Sequence, residues 1–217
     1  MAKELKNEIK YAFPLDEYQK DAKRSILSSE IIIVNGEAGS GKTSVVAQAC
    51  LDLMFKREIK KIWITRPAVE TGASLGFLPG ELNQKLSPYL QPIVDAMNKV
   101  YPFPDKIRKH IENNQIEGTA IQFIRGKTIG EGEVLIIDES QNTTKHEMLA
   151  LLTRIGKGGR IIVVGDTHQK DIKDSFGGLE YAIYLAEKIE DIKLHKLKGN
   201  HRSPLVAKIL EIEYGKN

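Results

Sequence analysis

The chain has 217 residues, 41% of them hydrophobic, a net charge of +3 and one cysteine. That length can bury the core of a single domain, and no apolar run reaches the roughly 18 residues of a membrane-spanning helix. Met1-Ala-Lys-Glu-Leu-Lys lacks the apolar centre of a signal peptide, and a lone Cys50 makes no intramolecular disulfide, so a reducing, cytoplasmic setting is expected. The sequence pI of about 8.8 is mildly basic and permits nucleic acid as a partner without requiring it.

Residues 1–14 read as an N-terminal extension to one domain spanning 1–217. Leu15-Asp-Glu-Tyr-Gln19 opens a helix, and the amide of Gln19, a paired donor and acceptor, suits the edge of an adenine. Ile31-Ile-Ile-Val34 reads as a buried strand. It runs into Gly36-Glu37-Ala38-Gly39-Ser40-Gly41-Lys42-Thr43, followed by Ser44 and by apolar positions 45, 46, 49 and 53 at helical spacing. This is a complete phosphate loop in its strand–turn–helix context. Its glycines let backbone N–H groups turn in on phosphate oxygens, Lys42 reaches the β- and γ-phosphates, and the Thr43 hydroxyl ligates Mg²⁺. ATP with Mg²⁺ is the expected cofactor pair.

A second strand, 61–65, ends at Thr65-Arg66-Pro67, where the proline stops the ladder and leaves Thr65 and Arg66 at the tip. On these residues alone the segment is an ordinary Pro/Gly loop, though the position suits phosphates of a single strand crossing the sheet. Residues 77–113 read as a helical insertion, punctuated by Pro79, Pro88 and Pro92. A third strand is expected at 119–124, followed by a basic turn, Arg125-Gly-Lys-Thr128.

Glu133-Val-Leu-Ile-Ile-Asp138-Glu139 reads as a central strand that ends in two acids. Asp138 is placed to hold Mg²⁺, and Glu139 to accept a proton from the attacking water. Small-molecule kinases with this loop lack the second acid, so the pair favours an ATPase. The strand 160–165 leads to Asp166-Thr-His-Gln169, where the amide of Gln169 can touch the γ-phosphate. His168 has no His or Cys neighbour at metal spacing and reads as a loop residue. A last strand falls near 191–197. Six strands separated mostly by helical patterns give an α/β fold, a largely parallel sheet with helices on both faces.

In this order, the segments resemble the PhoH family from about Leu15 to Ile212. The matching blocks are Thr65-Arg-Pro-Ala-Val-Glu70, Leu75-Gly-Phe-Leu-Pro-Gly80, Pro88-Tyr-Leu90 and Asp138-Glu-Ser-Gln-Asn-Thr-Thr144. Leu152-Thr-Arg154 and Gly165-Asp166 with Gln169 match as well. Ser140 stands where the family has Ala, and Glu37 where it usually has Pro. The resemblance implies a RecA-like ATPase core akin to superfamily-one helicases, acting on RNA or single-stranded nucleic acid. It makes Thr65, Arg66 and Arg125 nucleic-acid contacts and strengthens Gln19 as the adenine reader. Gly199-Asn-His-Arg202-Ser-Pro-Leu-Val206 resembles the family's arginine motif. Arg202 would then act on the γ-phosphate of a neighbouring subunit in a homo-oligomer, a hexameric ring by family resemblance. The competing reading is an ATP-gated switch that controls a protein partner without nucleic acid.

Overall fold

The computed structural model describes residues 9–67, 82–171 and 176–199, with Leu205, Lys208 and Ile212 beyond them. Six strands form one sheet: β1 (Ile31–Gly36), β2 (Lys61–Thr65), β3 (Ile116–Gly118), β4 (Glu133–Ile137), β5 (Arg160–Gly165) and β6 (Ile192–Leu197). Every pairing is parallel, in the spatial order β3-β2-β4-β5-β1-β6. The register sets Ile32 against Ile162, Leu135 against Ile161, and Ile64 against Ile136.

Because side chains alternate across a strand, each apolar run serves both faces. Ile32, Val34, Ile62, Ile64, Val134 and Ile136 point to one side. There they meet α1 (Glu17–Ser28), α2 (Lys42–Phe55), α3 (Leu82–Val100) and α4 (Pro104–Glu112) through Ile26, Leu51, Ile93, Met97 and Ile107. Ile33, Leu135, Ile137, Ile161 and Val163 point to the other. That side is covered by α5 (Ile121–Ile124), α6 (Lys145–Leu152) and α7 (Gly178–Ala186), through Ile124, Leu151 and Leu179. No helix among the described residues is long and apolar enough to cross a membrane.

Helix α2 is buried along its whole middle, from Val45 to Met54. Two polar side chains on it therefore need partners inside the protein. Asp52 takes the Tyr11 hydroxyl at 2.5 Å and the Lys23 ammonium at 2.7 Å, while Gln48 Nε2 donates to the Phe13 carbonyl at 3.3 Å. These contacts pin the segment before α1, and α1 itself, onto the helix that follows the phosphate loop.

The third strand differs from expectation. It occupies Ile116–Gly118, and the apolar stretch taken for it folds as α5. Ile121 and Ile124, one helical turn apart, both face the core. A short apolar run carries no period that separates strand from helix. Arg125 consequently follows a helix and not a strand.

Where β5 ends, the chains pass closely. A Cβ on Gly165 would lie 2.5 Å from Ser140 Oγ and 2.9 Å from Gln141 Oε1, so only glycine fits beneath the turn that follows β4. Ser140 is fully buried there, and its hydroxyl has no hydrogen-bond partner among the described residues. An unpaired buried hydroxyl costs roughly 1–3 kcal/mol of desolvation. Ser140→Ala should therefore raise stability by about 1 kcal/mol, read as a higher urea midpoint at unchanged m. A lower midpoint would mean that the hydroxyl is satisfied after all.

Candidate nucleotide site

The order β2-β4-β5-β1 lines up four strand tips at one edge of the sheet, and the loops leaving three of them enclose a cleft of about 570 Å³. From β1 come Ala38, Gly39, Gly41, Lys42, Thr43 and Ser44; from β4, Asp138 and Glu139; from β5, Gly165, Asp166 and Gln169. Residues from separate stretches of sequence thus meet in one place.

The phosphate loop turns through glycines that no other residue would replace without strain, Gly39 at φ 91° and Gly41 at φ 82°. Gly41 is the N-cap of α2 and supplies no capping side chain, so the first amides of that helix face the cleft without a side-chain acceptor. Lys42 Nζ donates to the carbonyls of Gly36 and Glu37 at 2.5 and 3.0 Å, folded along the loop.

The two acids sit in different surroundings. Asp138 is 6% exposed, and burial together with the neighbouring Glu139 charge pushes its carboxyl up to about 6, against the opposing pull of Arg66 and Lys42. Glu139 is about a third exposed. It adopts left-handed backbone, φ 49° and ψ 39°, which a residue with a Cβ takes only where its surroundings hold it. Its Oε1 lies 3.1 Å from Arg66 Nη2, and its Oε2 accepts from Gln141 Nε2 at 2.6 Å.

Thr43 and Asp138 share the cleft, while no three His, Cys, Asp or Glu side chains converge anywhere among the described residues. That donor set fits Mg²⁺, which takes one or two protein oxygens and completes its shell with water and phosphate. It does not fit an all-protein cage for a softer metal.

Several predicted contacts stand elsewhere than expected. Thr65 is fully buried and its carbonyl accepts the Asp138 amide at 2.9 Å, so its side chain does not reach a surface strand. Gln19 lines the cleft, but its amide joins protein to protein. Nε2 donates to the Ser40 carbonyl at 3.0 Å, and Oε1 accepts the Asp16 amide at 3.1 Å within the N-terminal capping box of α1. An adenine would have to compete for it. Arg125 is exposed at the end of α5, away from the cleft, with its carbonyl accepting from Arg154. Arg202 and residues 68–81 lie outside the described residues.

Other residues at the site escaped the sequence reading. Phe13, Pro14 and Lys99 line the cleft. Gln141 Oε1 accepts the Asp166 amide at 3.1 Å, Asn142 and Asp171 exchange two hydrogen bonds at 2.8 and 2.9 Å, and Asn35 Oδ1 accepts the Thr167 amide at 3.3 Å. The loop that carries Gln169 is thus clamped from β1 and from the turn after β4. The run of amides directly behind the two acids was the available signal.

A carboxyl whose folded pKa is raised favours folding below its unfolded pKa, and that contribution is lost as pH rises through the folded value. The Asp138 carboxylate therefore destabilises the nucleotide-free protein above pH about 6. Asp138→Asn should melt higher than wild type at pH 8, by up to about 3 kcal/mol of stability, with the gap narrowing as pH falls through 6 toward the ordinary carboxylate range. A gap that does not depend on pH would show the carboxylate to be unstrained by burial.

The PhoH-like protein family matches residues 13–213. The PhoH-like protein of Bacillus subtilis is 38% identical over 196 residues, which span 89% of this chain and 61% of that protein. The protein PhoH of Escherichia coli is 34% identical over 152 residues, 69% of this chain and 42% of that one. The chain thus spans about six-tenths of the length of its Bacillus relative. Among solved structures, the large terminase of a thermophilic bacteriophage superposes at a TM-score of 0.53 and 12% identity, covering 93% of this chain and 51% of that one. The Sulfolobus solfataricus SWI2/SNF2 ATPase core superposes at 0.50 and 15% identity, covering 86% and 45%. At such identities the superpositions speak for a shared fold alone. With the phosphate loop, the paired acids and the amide run in their places, this chain belongs to the PhoH-like protein family.

Proposed function

We propose that this chain is a Mg²⁺-dependent ATPase whose turnover is coupled to RNA or single-stranded nucleic acid. The observation that carries the ATPase reading is the meeting of Lys42, Thr43, Asp138, Glu139 and Gln169 around one cleft. The amides at the start of α2 and the Lys42 ammonium bind the phosphates, Lys42 exchanging two loop carbonyls for phosphate oxygens. Thr43 and Asp138 would hold Mg²⁺, which would supply positive charge against the phosphates. Glu139 takes the proton of the water that attacks γ-phosphorus. Gln169, on its clamped loop, contacts the γ-phosphate and is relieved of it after hydrolysis.

Nucleic acid is supported by Arg66, a cation at a strand tip on the same edge of the sheet, and by one structural neighbour, the SWI2/SNF2 core, which was solved in complex with double-stranded DNA. Steady-state ATPase with and without single-stranded RNA tests the whole reading. Turnover should rise with RNA. Glu139→Gln should keep ATP binding and lose roughly 10²-fold in kcat, as expected when a positioned proton acceptor is removed. Lys42→Ala should lose ATP affinity itself. Near-wild-type turnover in Glu139→Gln would remove the assignment of the base.

The motif at Arg202 supports assembly: an arginine delivered to the γ-phosphate of a neighbouring subunit would stabilise the charge that develops there. A head-to-tail contact that supplies Arg202 repeats until it closes, and a hexamer is the expected ring. Mixing Arg202→Ala with Lys42→Ala, each inactive alone, should restore part of the ATPase wherever an intact loop meets an intact arginine. Full activity from a monomer by light scattering would rule out the shared site.

A further inference from the structure

Arg66 stands between two jobs. It leaves β2 directly beside β4, so its guanidinium reaches Glu139, with Nη2 3.1 Å from Oε1. The second carboxylate oxygen accepts from Gln141 Nε2 at 2.6 Å, and the other end of that amide is fixed by the Asp166 backbone at 3.1 Å. Both oxygens of Glu139 are therefore engaged by donors, on a backbone in the left-handed region. Each oxygen keeps a second lone pair, yet the two donors together fix the orientation of the carboxylate. The resting geometry is that of a restrained base.

The restraint is also reversible. The Arg66 side chain is 34% exposed and that of Glu139 36%, so the pair is partly hydrated and of modest strength. Arginine's planar fork of donors matches a phosphodiester as well as it matches a carboxylate. A backbone phosphate at the tip of β2 would compete with Glu139 for the same guanidinium. We propose that the Arg66–Glu139 pair is a brake on hydrolysis, and that a phosphate of single-stranded nucleic acid releases it by taking Arg66. This rests on the nucleic-acid reading given above. Arg66 acts here as a positioning residue: it touches the base, does not line the nucleotide cleft, and couples one ligand to the other through a single side chain.

The test compares wild type, Arg66→Ala and Arg66→Lys at saturating ATP, with and without oligouridylate or oligodeoxythymidylate, alongside binding of the same oligonucleotides by fluorescence anisotropy. Without nucleic acid, Arg66→Ala should hydrolyse ATP about fivefold faster than wild type, the release of about 1 kcal/mol of pairing at 1.36 kcal/mol per tenfold. Its KM for ATP should be unchanged, and oligonucleotide should stimulate it no further. Arg66→Lys should return the basal rate toward wild type, because a cation at that reach still holds one carboxylate oxygen. A basal kcat in Arg66→Ala that is equal to or below wild type, in a protein that still binds ATP, overturns the brake. Should wild type bind and respond to oligonucleotide while Arg66→Ala stays slow, the functional reading survives and the brake does not. Absence of any oligonucleotide binding by wild type removes the nucleic-acid reading, and a fast Arg66→Ala beside it overturns nucleic acid as the release while leaving the hold on Glu139 in view.

Discussion

Strand order is the constraint from which the site follows. Adjacent strands lie about 4.8 Å apart, so β2, β4, β5 and β1 bring their tips within roughly 15 Å of one another. Since every strand is parallel, all four leave the sheet at the same edge, where ligands gather in open α/β sheets. The phosphate loop, the acids, the Gln169 loop and Arg66 are each local features of sequence. Only the insertion of β4 and β5 between β2 and β1 makes them neighbours. The two-faced apolar runs secure that order, because each of these inner strands must bury both sides.

Within that frame, electrostatics separates two adjacent carboxylates. Asp138 continues the buried strand and loses water; Glu139 turns out through left-handed backbone and keeps a third of its exposure. Two like charges one residue apart raise the cost of ionising the buried one, and Arg66 and Lys42 offset part of it. Different surroundings are what allow neighbouring acids to take different roles. A cation arriving at Asp138 would offset the cost that burial places on its charge.

What could be read from the sequence was the chemistry with fixed local spacing. The phosphate loop and the strand ending in two acids need no tertiary information, because strand, turn and helix are consecutive. Following each strand to its carboxyl end put Gln169 and Arg66 at the edge where the structure has them, and the resemblance added nucleic acid as a role for Arg66. Partners that depend on packing were illegible. Asp16-Glu-Tyr-Gln19 carries the spacing of a capping box, but nothing there announces that Gln19 also grips the Ser40 carbonyl, and nothing in Thr65 reveals that its side chain turns inward. The third strand failed for a related reason: an edge strand of three residues pairs on one side only and carries too short a pattern to be seen beside the apolar turn of α5. The lining by Phe13 and Lys99 depends on how the N-terminal segment and α3 dock on α2, which no local motif encodes.

The same distinction explains the two departures from the family pattern. Glu37 replaces a usual proline in the phosphate loop, yet what the loop uses from that position is the carbonyl. It accepts the Ser40 amide at 3.1 Å and the Lys42 ammonium at 3.0 Å. Any residue whose backbone can take that turn will serve. Ser140 replaces alanine at a point where the side chain is sealed against Gly165 and its hydroxyl finds no partner, while its carbonyl holds the Thr143 hydroxyl at 2.6 Å. Backbone carries the function at both places, so the side chain is free to vary in the exposed loop and costs stability in the buried turn. The amides that follow are different in kind: Gln141 and Asn142 act through their side chains, each tying the turn after β4 to the loop after β5. Their removal would leave Glu139 and Gln169 in the fold but no longer fixed relative to each other. The amide run is therefore a structural support of the cleft, holding two of the loops that line it.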